Sequence, residues 1–159
     1  MKNNSEDAQI KAATLDTGVL IEYLSLDKEK PKENMFLKHL EEILLETDKY
    51  RILYIPSIVK SELLYITCRL KGWEEAKTTI DDFLTNFVIL RVPDLDGIAA
   101  RIKCKVPIAL ADCYTLAIGK FLSTPTYFIN EIELSKKVQK IISEEFMIDL
   151  RIIERPATD

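Results

Sequence analysis

Short apolar runs alternate with longer amphipathic segments along almost the whole chain, and this alternation restricts the fold more than any single residue does. A strand covered on both faces reads as a continuous apolar run, whereas a helix lying on a sheet shows an apolar stripe of period 3.6. Runs at Lys11–Leu15, Arg51–Ile55, Phe87–Arg91, Thr126–Ile129 and Leu150–Ile153 predict strands. Helices are predicted from Thr17 to Leu24 and over a stripe of Phe36, Leu37, Leu40, Ile43 and Leu44. Further helices are predicted from Ile58 to Leu70, Trp73 to Leu84, Pro93 to about Lys103, Ala109 to Leu122 and Glu133 to Glu144. Ser57 is the expected N-cap of the helix after the second strand, and Gly72 its end. Strand and helix in regular succession place the chain in the α/β class, with a parallel sheet of about five strands.

The 159 residues suit one domain, 1–159, with a core over about 12–154, and no repeat or linker divides them. Lys and Arg total 22 against 26 Asp and Glu, a net charge of −4, which disfavours non-specific grip on a nucleic-acid backbone. Cys68, Cys104 and Cys113 form no metal or disulfide spacing and are expected to be small buried side chains in a reducing compartment. The polar start, Met1 to Gln9, is unlike a secretory signal, and no apolar run is long enough to span a membrane, so a cytoplasmic protein is expected. The sole histidine, His39, lies among charges, which argues against histidine catalysis, and no phosphate-binding glycine loop or nucleophile elbow is present.

Three acids interrupt this apolar patterning. Asp16 follows Thr14-Leu15, Glu62 sits within Ile58-Val59-Lys60-Ser61-Glu62-Leu63-Leu64, and Asp112 is the sole charge between Val106 and Gly119. Acids are seldom buried without a partner, and several without matching bases imply a divalent cation. Ligand sites of parallel sheets lie beyond the carboxyl ends of the strands. Asp16 follows the first strand there, Asn130, Glu131 and Glu133 follow the fourth, and Glu62 and Asp112 lie early in helices near the same rim. Such a cluster suits Mg²⁺ or Mn²⁺, which take oxygen ligands. Singly, each acid also has a plainer reading: Asp16 as a helix N-cap, Glu62 as an exposed helix residue, Glu131 and Glu133 as rim acids.

Leu15-Asp16-Thr17-Gly18-Val19-Leu20-Ile21-Glu22-Tyr23-Leu24, Ile55-Pro56-Ser57-Ile58-Val59-Lys60-Ser61-Glu62-Leu63, Pro107-Ile108-Ala109-Leu110-Ala111-Asp112-Cys113-Tyr114 and Tyr127-Phe128-Ile129-Asn130-Glu131 resemble the motifs of PIN-domain ribonucleases, in order and spacing. The likeness runs from Ala12 to Glu154 and is to the toxin (VapC-type) members of toxin–antitoxin pairs. It implies a three-layer α/β/α sandwich, RNA cleavage with Mg²⁺ or Mn²⁺, a homodimer, and an antitoxin protein as partner. The family's acids map onto Asp16, Glu62 and Asp112, with Thr17 as the supporting hydroxyl. The fourth position departs from the family's usual Asp: this chain offers Glu131, with Glu133 in reserve.

Two functions are therefore open: a metal-dependent endoribonuclease, or a catalytically silent module of the same shape that binds RNA or a protein. A phospho-acceptor domain fits poorly, since no strand ending in an acid pair precedes Asp16. Lys28, Lys30 and Lys32 around Pro31, together with Lys60 and Lys120, are candidate phosphate contacts. Tyr65 and Trp73 are candidates for base stacking or packing, and the apolar girth of the helix carrying Leu63, Leu64, Tyr65 and Ile66 suggests a dimer or partner surface.

Overall fold

The computed structural model describes residues 11–26, 29, 31–91 and 93–157, without the side chains of 31–34. Met1 to Gln9, Lys28 and Lys30 lie outside the described residues, as do the side chains of Pro31 and Lys32. Five strands, β1 (Ala12–Leu15), β2 (Ile52–Pro56), β3 (Phe87–Leu90), β4 (Thr126–Ile129) and β5 (Leu150–Ile153), form one parallel sheet in the order β3-β2-β1-β4-β5. Around it stand α1 (Thr17–Ser25), α2 (Pro31–Leu44), α3 (Ser57–Lys71), α4 (Trp73–Phe83), α5 (Asp94–Lys105), α6 (Leu110–Leu122) and α7 (Lys136–Lys140). This is the expected α/β/α sandwich of five parallel strands.

Alternation along each strand divides the apolar side chains between two layers. Ala13, Leu15, Leu53, Ile55, Tyr127 and Ile129 meet Val19, Leu20, Leu40, Val59 and Leu63 of α1–α3 on one side. Phe128 and the partly buried Tyr54 and Ile152 meet Ile102, Leu116 and Val138 of α5–α7 on the other. Cores on both sides explain why the strands lack a polar face.

Several boundaries differ from the sequence expectation: α2 begins at Pro31, inside the stretch read as a charged loop, and β2, β3 and α6 shift by a residue. The cap residue of α3 is Pro56, and Ser57 is the first helical residue with no side-chain cap. Pro56 fits because it has no N–H to lose and its extended backbone ends β2 and starts the helix at once. The last helix starts at Lys136 and not at Glu133; Ser135 caps it by accepting from the Val138 N–H at 3.3 Å. Residues Ile141–Glu145 continue it as a π-helical turn. Leu84 belongs to a 3-10 turn, Leu84–Asn86, that leads into β3. Of the cysteines, Cys113 is buried, Cys68 half-buried and Cys104 exposed, so the expectation of uniform burial fails at Cys104.

Candidate active site

The strand order fixes where a site can form. From β1 the chain builds outward through β2 to β3, then returns to place β4 on the other side of β1. At such a reversal, the segments leaving β1 and β4 part to opposite faces and open a crevice at the carboxyl ends. Asp16 is the first residue after β1, and Glu131 stands two residues after β4. Leu15 pairs with Tyr127, and the Asp16 N–H donates to the Tyr127 carbonyl at 3.1 Å, so the two strand ends are locked in register beneath the acids.

Asp16 is 8% exposed and caps α1, its Oδ2 accepting from the Gly18 N–H at 3.0 Å. Thr115 Oγ1 on α6 donates to its other oxygen at 3.4 Å. Thr17 Oγ1 donates to Glu62 Oε2 at 2.5 Å, tying α1 to α3. A Cβ placed on Gly18 would stand 3.4 Å from Asp16 Oδ2 and 3.6 Å from Glu131 Oε1, so the missing side chain leaves an opening between these two carboxylates. The structure thus brings Asp16, Thr17, Glu62, Asp112 and Glu131 to one rim. Asp16 is both an N-cap and a cluster member, so its two readings are not exclusive.

Electrostatics report the same convergence. Burial, and then the Asp112 charge, push the Asp16 carboxyl up to about 7; backbone bonds from Gly18 and Thr17 oppose this, and Glu62 adds to it. Asp112 is pushed up to about 6 by burial, then by Glu131 and Glu62; a backbone bond at Ala109 opposes this, and Glu133 adds a smaller push. Glu131 therefore acts on Asp112 more strongly than Glu133 does. Both lie exposed in the turn after β4.

A family model described as PIN domain matches residues 13–124. The chain belongs to the PIN domain family. Among solved structures, this PIN domain is similar to the VapBC2 complex from Rickettsia felis bound to a DNA fragment from their promoter, with a TM-score of 0.60 and 16% identity, covering 90% of this chain and 98% of that one. The DNA-bound VapBC from Salmonella typhimurium aligns at a TM-score of 0.54 and 14% identity, over 91% and 98% of the two chains. A toxin–antitoxin complex from Klebsiella pneumoniae gives 0.54 and 14%, over 78% and 91%. These identities carry the fold. No significant relative was found among curated proteins.

Arg155 of this PIN domain was not foreseen. Two residues beyond β5, its guanidinium contacts Glu22 Oε1 at 2.5 Å, the Asn130 carbonyl at 3.3 Å and Glu131 Oε1 at 3.9 Å. A cation just past the last strand of a parallel sheet was the available signal, since β5 lies beside β4. Of the five lysines expected as phosphate contacts, the two whose side chains are described are engaged elsewhere. Lys60 pairs with Asp81 at 2.7 Å, and Lys120, at the far end of α6, donates to the Phe146 carbonyl at 2.7 Å. His39 is an exposed residue 3.8 Å from Glu42, as its charged surroundings suggested. Among the described residues no helix is long and apolar enough to cross a membrane.

Proposed function

We propose that this PIN domain is a metal-dependent endoribonuclease that hydrolyses RNA phosphodiester bonds and serves as the toxin of a toxin–antitoxin pair. The carrying observation is Asp16, buried at the strand reversal with Asp112, Glu62 and Glu131 around it; among the described residues only Glu131 of these acids has a cation, Arg155, within ion-pair reach. The donors are all oxygen, and the opening over Gly18 lies between two of them, which suits a hard divalent cation such as Mg²⁺ or Mn²⁺. Asp16, Glu62, Asp112 and Glu131 would hold it, partly through water. Among the described residues no group of three or more His, Cys, Asp or Glu side chains is placed to hold a metal ion; Mg²⁺ commonly takes only one or two carboxylates directly.

When bound, the cation supplies Lewis-acid polarisation of the phosphate and lowers the pKa of a water. The chain's own part is positioning. Thr17 orients the Glu62 carboxylate, while Gly18 and Thr115 hold the two oxygens of Asp16. Glu133 is a more distant acid of the same rim. Arg155 neutralises Glu131 from its outer side.

The similar VapBC and toxin–antitoxin complexes support an antitoxin as partner. Exposed Tyr65, Leu70 and Trp73 on α3 and α4 support a homodimer or partner contact there, although of the residues that made α3 read as apolar all round, Leu63 and Leu64 belong to the core. The cytoplasm suits a protein acting on cellular RNA.

Cleavage of mixed single-stranded and structured RNAs with Mn²⁺, Mg²⁺ or EDTA tests the reading. Wild type should cut with metal and not with EDTA. Asp112→Asn should lose at least about 100-fold, the scale for removing one charge-stabilising group from a reaction centre. Equal cutting by the two proteins would sink the proposal. One observation favours the silent-module alternative: the fourth acid is a half-exposed Glu already paired with Arg155. Under that reading, wild type cuts nothing yet still binds RNA or a partner after Asp16→Ala and Asp112→Ala together.

A further inference from the structure

A cavity of about 400 Å³ opens on the same rim, beyond the ends of β2 and β3. Pro56, Leu90, Leu95 and Tyr114 line it with apolar surface, and Asp96 and Arg91 add polar groups. Pro56 and Leu90 are register partners, and β2 lies directly beside β1. Strands are about 4.8 Å apart, so the cavity sits roughly 5–10 Å along the rim from Asp16, within reach of the nucleotide next to one held at the acids. Ile58, which also lines it, is one turn of α3 before Glu62.

Its polar groups are fixed and free at once. The Tyr114 hydroxyl donates to Asp96 Oδ1 at 2.7 Å, which leaves Oδ2 without a hydrogen bond among the described residues. The exposed Arg91 guanidinium makes no hydrogen bond or ion pair among the described residues, and it also borders an adjoining hollow with Ser57 and Ser61. Its volume is no larger than that of the other surface hollows, but its aromatic wall suits a base. A carboxylate accepts from exocyclic amines, and guanidinium suits phosphate. In a chain of net charge −4, an unpaired Arg at the rim is where a polyanion can be gripped.

Resting on the nuclease reading, we propose that this cavity takes one unpaired RNA base beside the scissile phosphate. Asp96 favours bases that bear an exocyclic amine over uracil, whose one donor, N3–H, lies between two carbonyl oxygens that repel a carboxylate, and Arg91 holds the adjoining phosphate. The test is fluorescence anisotropy at low salt in EDTA, with labelled six-nucleotide oligouridine and the same strand carrying one adenine or cytosine. Wild type should bind the substituted strands about tenfold tighter. Asp96→Ala should bring that ratio to one, Tyr114→Phe should reduce it, and Arg91→Ala should weaken every strand several-fold with the ratio kept. Asp96 and Arg91 are exposed, so these changes leave the core intact.

Equal binding of all strands by wild type, no binding of any, or a ratio that survives Asp96→Ala overturns the assignment. The nuclease reading is decided separately by Mn²⁺-dependent cutting with the same wild type. Cutting without base preference removes the cavity's role alone. Preference without cutting upholds the cavity and removes the nuclease.

Discussion

The N-cap bond from Gly18 favours Asp16 as an anion, whereas burial and neighbouring acids favour it protonated, and the second influence prevails. With a folded value of about 7 against the ordinary 3.8, metal-free folded protein retains a proton that the unfolded chain has lost. Stability from this group is fully present below pH 3.8 and is lost as pH rises through about 7. Asp16→Asn keeps an equally good N-cap and removes the buried charge. In EDTA at pH 7.5 it should melt several degrees above wild type, a gain on the order of a few kcal/mol that disappears towards pH 4. Differential scanning calorimetry across that range checks it. Added Mn²⁺ should raise the melting temperature of wild type much more than that of Asp16→Asn, because cation binding favours the ionised cluster.

At this scale the sequence was legible where an acid broke an apolar run, as at Asp16 and Asp112. It was not legible for Arg155 or the cavity. Their neighbours are distant in the chain; for Arg155 the one local signal was its place just past the last strand, and for the cavity there was none. Lys60 and Lys120 misled because proximity to an acid in sequence does not fix which end or face of a helix a side chain serves.

The position of Asp112 depends on how α6 lies on β4. Gly119 makes that packing possible: a Cβ there would fall 1.8 Å from Thr126 Oγ1 and 3.1 Å from Thr126 Cβ. Gly119→Ala gains helix propensity of up to about 1 kcal/mol but forces the helix off the strand, at a cost of about 1–3 kcal/mol. The melting temperature should fall by several degrees, and Thr126→Ala in the same chain should restore part of it. Thermal melts of the single and double variants check this. Strands and helices were legible because each layer enforces its own period. The start of α7 was not, because Glu133 continues a helix-compatible pattern and only the turn after β4 determines that Ser135 becomes the cap. Likewise Ser57 has the chemistry of a cap, but the Pro before it already ends the strand.

Over the whole molecule, the matched family region stops at Thr124, before β4 and β5. Without those strands β1 would become an edge, and Tyr127, Phe128, Ile129 and Ile153 would be missing from both cores. A chain ending at Thr124 should therefore show no cooperative denaturant transition, monitored by circular dichroism, where the full chain shows one. The sandwich followed from the alternation of elements, but the order β3-β2-β1-β4-β5 did not, since an alternating pattern is compatible with several orders.

That order has a consequence for biosynthesis. β1 gains β2 early, but its other neighbour emerges more than a hundred residues later, Thr14 pairing with Thr126. Asp16 and Glu62 leave the ribosome early, but they have no finished crevice until β4 is inserted and Glu131 follows it. If the chain cuts RNA as proposed, a partly translated chain lacks the finished acid rim, and the cutting centre is completed only once β4 and the Glu131 turn have been made.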